Sequence, residues 1–227
     1  MCGRYILAQQ LKAERYFGVR RTLWDYIVSY NVAPSRNVPV VRIAEGEREG
    51  VMMRWGLIPF YAHGEPPKYS TINATVEKLE SSPVWRGPWK RGQRCILPAA
   101  GFYEWHLDEG GRKQPFFIHL ADQEVFGFAG LWDRSEKPDG TVIESCTIIT
   151  VPPNRLMAEI HNTKQRMPAI LSPEDHEAWL CGAPTDAKAA LRAYPEELMV
   201  AYRVSTRVNS PRNDDESLIR PLDAANG

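Results

Sequence analysis

The chain from residue 94 reads Arg94-Cys95-Ile96-Leu97-Pro98-Ala99-Ala100-Gly101-Phe102-Tyr103-Glu104-Trp105-His106, and this stretch opens the region that decides the fold. It holds two predicted strands, and further apolar, β-branched or aromatic runs follow over 115–120, 125–132 and 142–150. The breaks between these runs are rich in glycine and aspartate, which is typical of turns. Consecutive strands with few helices between them predict an α+β domain around a curved, mostly antiparallel β-sheet or barrel with a few peripheral helices.

The flanking regions mix helices and strands. Residues 39–44 and 51–55 predict a hairpin across Glu45-Gly46-Glu47, because two apolar runs flank a short turn that contains glycine. Helices are predicted over 8–18, over 154–160, from Ser172-Pro173 through Trp179, and over 185–192, with a late strand at 199–204. No internal repeat or linker divides the chain, so we expect a single domain over residues 1–227.

The composition is that of a globular protein without a strong overall charge. The 227 residues are 43% hydrophobic with a formal net charge of zero, so any affinity for nucleic acid must come from a local patch. The four cysteines show no Cys-x-x-Cys spacing, which favours reduced thiols without structural zinc. No apolar run suits a membrane span and no signal peptide is evident, so we expect a soluble, cytoplasmic protein, or a nuclear one in a eukaryote.

The start Met1-Cys2-Gly3-Arg4-Tyr5 makes Cys2 the N-terminal residue once the initiator methionine is removed. A terminal cysteine carries a thiol and an α-amine on adjacent carbons, with ordinary pKa values of about 8.5 and about 7.7–8.0. Together they can trap an aldehyde as an imine that closes to a thiazolidine, and the thiol can also attack an acyl carbon. We therefore interpret Cys2 as a nucleophile.

Glu104 lies in a predicted strand of bulky aromatic residues. Alternation places Phe102, Glu104 and His106 on one face and Tyr103 and Trp105 on the other. If the Glu104 face lines a cleft, loss of solvation raises the pKa of its carboxyl and suits it to proton transfer. A half-solvated strand with Glu104 facing water is the alternative.

Two further polar residues are candidates for the same chemistry. His161 follows the helix predicted over 154–160 and begins a polar, loop-like segment, where functional groups concentrate. Asn73, in Thr71-Ile72-Asn73-Ala74-Thr75, can orient a substrate oxygen or amine. A structural histidine and a turn asparagine remain the simpler interpretations of each residue taken alone.

The segment 81–103 contains no acidic residue. It carries four cations beside two tryptophans: Arg86, Lys90, Arg91, Arg94, Trp85 and Trp89. Cations and aromatic rings together suit a single nucleic-acid strand, because the cations bind phosphates and the rings stack on bases. An amphipathic segment that buries its tryptophans and exposes its charges explains the pattern equally well.

Taken together, these motifs resemble the SRAP family (SOS-response-associated peptidases), and the resemblance runs almost end to end. The segments that carry it are Met1-Cys2-Gly3-Arg4-Tyr5, Tyr30-Asn31-Val32-Ala33-Pro34, Arg54-Trp55-Gly56-Leu57-Ile58-Pro59, Asn73-Ala74, Arg94-Cys95-Ile96-Leu97-Pro98-Ala99, Gly101-Phe102-Tyr103-Glu104-Trp105, Gln114-Pro115-Phe116-Phe117, Thr147-Ile148-Ile149-Thr150, Ile160-His161 and Arg166-Met167-Pro168-Ala169-Ile170-Leu171. Each is weak alone, but their number and order make the match specific.

The resemblance implies a function and a site. Family members shield abasic sites in single-stranded DNA by covalent capture, without a metal or organic cofactor. It implies an active site of Cys2, Asn73, Glu104 and His161, with Arg4, Asn31, Pro34 and Thr150 around the DNA. The implied partner is single-stranded DNA that contains abasic sites, and we expect a monomer with no obligate protein partner.

Four positions depart from the family pattern. Thr75 stands where the family usually has the arginine of Asn-Ala-Arg, and Ala100 replaces a frequent aspartate. Tyr61 lies where relatives carry a tryptophan wedge, so we expect it at the DNA together with Arg86 of the basic segment. Thr163-Lys164-Gln165 resembles an insertion before Arg166. Arg166 is another expected DNA contact, and the insertion leaves more than one alignment of this residue with the family pattern possible.

Two other functions compete with this interpretation. Glutamine amidotransferases with an N-terminal nucleophile also begin Met-Cys-Gly. This chain has no Asn-Gly-Glu motif, and Arg86-Gly87-Pro88 runs into Trp89 rather than the expected aspartate. A non-covalent single-strand DNA-binding module, with Cys2 as a bystander, is the second alternative.

Overall fold

The strands of this protein form a closed barrel and a smaller second sheet, as seen in a computed structural model that describes residues 2–222. The strands are β1 Tyr5–Ile6, β2 Arg21–Thr22, β3 Asn37–Ala44, β4 Glu47–Trp55, β5 Asn73–Thr75, β6 Arg94–Ala99, β7 Gly101–Leu107, β8 Lys113–Leu120, β9 Phe126–Glu136, β10 Val142–Val151, β11 Met167–Pro168, β12 Ile170–Leu171 and β13 Met199–Arg203. The helices are α1 Gln10–Phe17, α2 Arg86–Lys90, α3 Arg155–Ile160, α4 His176–Cys181 and α5 Pro184–Ala189.

The barrel consists of β10, β4, β3, β6 and β9 in that order, and pairing of β9 with β10 closes it. The pairs are antiparallel except β4 with β10, which run parallel. Closure removes the free sheet edges on which other chains could pair. Large side chains such as Trp55, Met53 and Phe128 are fully buried. The predicted α+β fold with a curved, mostly antiparallel sheet is therefore confirmed.

The second sheet has the order β1-β7-β8-β13. The chain passes from the barrel into this sheet at Ala100, between β6 and β7, so the stretch quoted first belongs to both sheets. Gly101 is required at this crossing, because a Cβ there would lie 2.3 Å from the ring of Phe117. β7, which carries Glu104, also pairs with β1 at the start of the chain.

The predicted hairpin is confirmed, and it is longer than its apolar runs. β3 and β4 are joined by Glu45 and Gly46, whose φ angles of 53° and 80° are those of a two-residue hairpin turn. The extra pairs include Arg42 opposite Glu49, whose side chains form an ion pair of 3.0 Å. The charged half of β4 is stabilised by partners across the strand that the apolar pattern cannot reveal.

The helices follow the sequence closely at their starts. Asn154 caps α3, since its side-chain oxygen accepts a hydrogen bond of 2.8 Å from the backbone N–H of Met157. Ser172 and Pro173 begin a short 3-10 turn that leads into α4, and the Ser172 side chain makes no capping bond. Within residues 2–222, no helix has the length and apolar character that crossing a membrane requires.

Candidate active site

The start of the chain lies along β7. Tyr5 pairs with Phe102, and the N–H of Tyr103 donates a 3.0 Å hydrogen bond to the carbonyl of Arg4. Since the two segments are antiparallel, the residues before Arg4 run toward Glu104. Cys2 is fully buried there, and its Sγ lies 3.8 Å from the carbonyl oxygen of Arg4.

The Cys2 thiol is held in its protonated form. Burial raises its pKa far above the ordinary value, and the negative charge of Glu104 raises it further. A thiol reacts as the thiolate, so any nucleophilic reaction of Cys2 requires a base that takes its proton. Glu104 is the charged side chain that acts on it most strongly.

Glu104 is a buried carboxyl in the middle of β7, with a side chain only 3% exposed. Burial raises its pKa to about 7. Near neutral pH the group therefore exists in comparable amounts as an acid and as a carboxylate. This is the condition under which one residue serves as both general acid and general base. The alternative of a strand residue facing water is wrong.

His161 is the residue that follows α3, and its imidazole lies beside the carboxyl of Glu104. Its Nε2 lies 3.7 Å from Glu104 Oε2, and its Nδ1 lies 2.9 Å from the carbonyl oxygen of Arg166. Because a carbonyl only accepts, Nδ1 carries the proton and Nε2 is the unprotonated nitrogen. Burial lowers the pKa of the imidazole, so His161 is neutral at physiological pH.

Asn73 lies in the short strand β5, which runs parallel to β10. Its Nδ2 donates a 3.1 Å hydrogen bond to the carbonyl of Ile72. Its Oδ1 is buried and has no hydrogen-bond partner among residues 2–222. At Thr150, β10 pairs with both β5 and β11, and β11 directly follows Arg166. β10 therefore lies between the strand that carries Asn73 and the strand that follows Arg166, the residue whose carbonyl orients His161.

Glu104 and His161 open into a cleft of about 380 Å³. The remaining lining residues are Trp105, Leu107, Lys113, Thr163, Lys164 and Asn209. The cleft therefore combines a buried carboxyl and imidazole 3.7 Å apart, an aromatic ring and two cations. This arrangement can protonate a leaving hydroxyl and deprotonate a thiol.

The sequence matches the family model for SRAP, the SOS response associated peptidase, over residues 1–211. The chain belongs to the SRAP family. A relative from Bacillus subtilis, "Abasic site processing protein YoqW", is 40% identical over 96% of this chain and 99% of its own length. "Abasic site processing protein HMCES" from Gallus gallus is 34% identical over 87% of this chain and 67% of its own length. The resemblance inferred from the motifs is confirmed.

Two solved structures share this fold. A protein from Bacteroides thetaiotaomicron superimposes with a TM-score of 0.85 at 29% identity, covering 97% of this chain and all of that one. A protein from Bordetella bronchiseptica gives a TM-score of 0.79 at 29% identity over 90% of this chain. The barrel with its second sheet is thus a shared architecture.

Arg4 and Asn31, two of the DNA contacts expected from the SRAP pattern, hold the C-terminal segment. Arg4 Nη1 donates to Asn31 Oδ1 at 3.0 Å and to the carbonyl of Val208 at 2.9 Å. The fully buried Asn31 donates from Nδ2 to the carbonyls of Val208, Ser210 and Asn213. These bonds fix the chain around Asn209, which lines the cleft. Contact of Arg4 and Asn31 with DNA stays a prediction.

The other expected DNA contacts lie in different settings. Arg166 binds both carboxylate oxygens of Glu77, at 2.7 and 3.0 Å, and donates to the carbonyl of Thr150 at 2.6 Å. Thr150 itself is fully buried. Pro34 is half-buried in a turn, and Tyr61 is 44% exposed in the 3-10 turn Phe60–Ala62. Their contacts with DNA also stay predictions.

The segment 81–103 is amphipathic, which decides between its two interpretations. Trp85 and Trp89 are buried, so neither ring is available to stack on a base. Arg94 is buried as well and donates to the carbonyl of Gly182, and Arg91 pairs with Asp133 at 2.8 Å. Arg86 stays exposed. The pattern of cations and tryptophans favoured a simple single-strand-binding module. Its tryptophans are buried, so its exposed charges are the part that can still meet DNA.

The sequence did not point to Asn209 or Trp105 as part of the site. Trp105 Nε1 donates a 2.8 Å hydrogen bond to Asn209 Oδ1, and both line the cleft. Alternation along β7 places Trp105 and Glu104 on different faces of the strand. Asn209 lies in a C-terminal turn that carries no motif in this sequence. Arg4 and Asn31, near the start of the chain, fix the position of Asn209, because they donate hydrogen bonds to the carbonyls of Asn209 and Val208.

The raised pKa of Glu104 predicts a pH-dependent cost to stability. The folded protein keeps a proton at Glu104 that the unfolded chain releases, so folding loses stability as pH rises from about 4.5 to about 7. The full cost above pH 7 is about 3 kcal/mol. We expect Glu104→Gln to match the wild type near pH 4 and to exceed it by up to about 3 kcal/mol at pH 8. Urea unfolding at both pH values checks this, and a difference independent of pH contradicts it.

Proposed function

We propose that this chain captures abasic sites in single-stranded DNA covalently, through the α-amine and thiol of Cys2. The observation that carries the proposal is the juxtaposition of buried Cys2, Glu104 and His161 beside an open cleft. Relatives of similar length carry the name abasic site processing protein. The protein thereby shields the lesion during the response to DNA damage.

The first step is removal of Met1, by methionine aminopeptidase or by self-processing. Cleavage frees the α-amine of Cys2 on the carbon next to the one that bears the thiol. The ring-opened form of the abasic deoxyribose carries an aldehyde, which the proposal places beside Cys2. An N-terminal cysteine can then supply both nucleophiles to one carbon atom, which an internal cysteine cannot do.

The amine attacks the aldehyde carbon and forms a carbinolamine. Glu104 in its acid form gives a proton to the leaving hydroxyl, so one water departs and an iminium, which keeps its N–H, remains. Glu104, now a carboxylate, takes the proton of the Cys2 thiol as sulfur adds to the iminium carbon, and this restores the acid form of Glu104. The nitrogen keeps its one proton as the C=N electron pair returns to it, and the thiazolidine ring is complete with the net loss of one water. A pKa of about 7 fits Glu104 to both roles.

His161 and Asn73 act on the sugar. Neutral His161 presents Nε2 as an acceptor, so it can take the proton of the sugar's anomeric hydroxyl and return it to the ring oxygen as the ring opens. The buried Oδ1 of Asn73 can accept a hydrogen bond from the amine or a sugar hydroxyl. Holding the aldehyde against Cys2 turns a bimolecular attack into a local one, which is worth roughly 7–11 kcal/mol.

The aldehyde is the group that the proposal requires, and its removal gives a direct test. The protein is incubated with an abasic single-stranded oligonucleotide, with the same oligonucleotide after borohydride reduction, and with an intact strand. We expect an SDS-stable adduct with the first substrate alone, because reduction converts the aldehyde to an alcohol that an amine cannot attack. Equal adduct formation on reduced and unreduced sites would refute the proposal.

A further inference from the structure

The loop after His161 has a defined shape that places one lysine in the cleft. Asn162 fixes one side of the loop, accepting from the N–H of Leu107 at 3.1 Å and donating to its carbonyl at 2.9 Å. Gln165 fixes the other side, because its Nε2 donates to the carbonyl of Ala158 at 3.0 Å. Lys164 lies between these two anchors and lines the cleft.

The backbone of this loop is under local strain. Gln165 adopts a φ of 52°, in the left-handed region that side chains other than glycine rarely occupy. Its N–H nevertheless closes a 3.0 Å hydrogen bond to the carbonyl of His161. Strained backbone persists where the surroundings hold it, so the anchors fix the backbone of Lys164 at the cleft, close to His161.

A second lysine faces the same cleft from the sheet. Lys113 begins β8 and pairs in register with Leu107, the residue that Asn162 binds. Among residues 2–222 the lysines that form ion pairs with a carboxylate are Lys12 and Lys188, so neither Lys113 nor Lys164 forms one, although the charge of Lys164 acts on the nearby Glu104. Both lysines thus bring a positive charge to the rim of a cleft whose floor holds a neutral imidazole and a carboxyl that is partly neutral.

We infer that Lys164 and Lys113 form a phosphate subsite in which each lysine binds one of the two phosphodiesters that flank the captured sugar. A strand that enters the cleft with its deoxyribose at Glu104 and His161 carries a phosphate on each side of that sugar. Cations without carboxylate partners at the rim suit such a phosphate, because binding releases the counterions condensed on the DNA. This inference rests on the proposed function and assigns a ligand to residues of the same cleft.

The test separates binding from capture. Non-covalent affinity for an intact single strand is measured over a range of salt concentrations in a Cys2→Ala background, where no adduct can form. We expect Lys164→Ala and Lys113→Ala each to lower the salt slope by about 0.7 and to weaken affinity about fivefold at 0.1 M salt. Lys164→Arg keeps the charge and should retain the wild-type slope. Lys188→Ala removes an exposed lysine outside the cleft and is the matched control.

Two results would overturn the subsite. One is a salt slope unchanged in Lys164→Ala and Lys113→Ala, which would show that neither lysine meets a phosphate. The other is a borohydride-trapped adduct in Cys2→Ala that disappears when Lys164 is also replaced, which would make Lys164 an amine nucleophile. The proposed function has its own failure, the absence of any adduct in the wild type, so the two outcomes remain distinct.

Discussion

Replacing Cys2 by alanine is expected to abolish every SDS-stable adduct with abasic single-stranded DNA. The variant keeps its terminal amine, so it can form an imine, but it has no sulfur to close the thiazolidine and the imine hydrolyses. Non-covalent affinity should remain largely intact, because the exposed cations do not depend on the thiol. Denaturing gels for adducts and fluorescence anisotropy for binding measure the two properties separately.

The other cysteines supply the controls for this variant. Cys95 and Cys146 are buried in the barrel, and Cys181 is exposed at the end of α4. Cys181→Ala removes the thiol that solvent reaches most easily, and it should capture abasic sites at the wild-type rate. A requirement for Cys181, Cys95 or Cys146 with Cys2 dispensable would show that the nucleophile is misassigned.

Glu104→Gln is expected to slow capture by roughly 10²–10⁴-fold, because the amide can neither give nor take the protons of the two chemical steps. The wild-type rate should follow a bell-shaped pH profile. The rate rises as the α-amine loses its proton, near its ordinary pKa of about 7.7–8.0. It falls as Glu104 ionises around a pKa of about 7, since loss of the hydroxyl requires the acid form. In Glu104→Gln the rising limb alone should remain.

The matched control is Glu159→Gln, which changes an exposed carboxylate on α3 and should leave the profile as in the wild type. Single-turnover capture rates from pH 5 to 9 give the comparison. A falling limb that persists in Glu104→Gln would assign that ionisation to another group. A rate within about twofold of the wild type would return Glu104 to a structural role.

The strand pattern predicted most of the fold because the apolar runs match strands buried on one or both faces. The pattern failed where charges pair across strands, as in the Arg42–Glu49 pair that extends the first hairpin. It also could not show that Trp85 and Trp89 face inward, since a basic and aromatic segment suits a nucleic acid and an amphipathic surface equally well.

The sequence identified the residues of the candidate site, but it could not predict their protonation behaviour. The motifs selected Cys2, Glu104 and His161, but the pKa shifts on which their proposed roles depend come from burial among residues distant in the chain. Asn209 and Lys164 enter the cleft through hydrogen bonds that no local pattern encodes. Tertiary packing, rather than residue type, decides which polar groups share the cleft.

The most direct test of the central claim is the intact mass of the adduct with an abasic oligonucleotide. The account predicts the mass of the protein without Met1 plus the oligonucleotide minus one water, with peptide mapping that places the link on Cys2 and finds both its amine and its thiol consumed. A verified form that retains a residue before Cys2 should give no stable adduct. An adduct that contains Met1, or one linked through a lysine, would contradict the account.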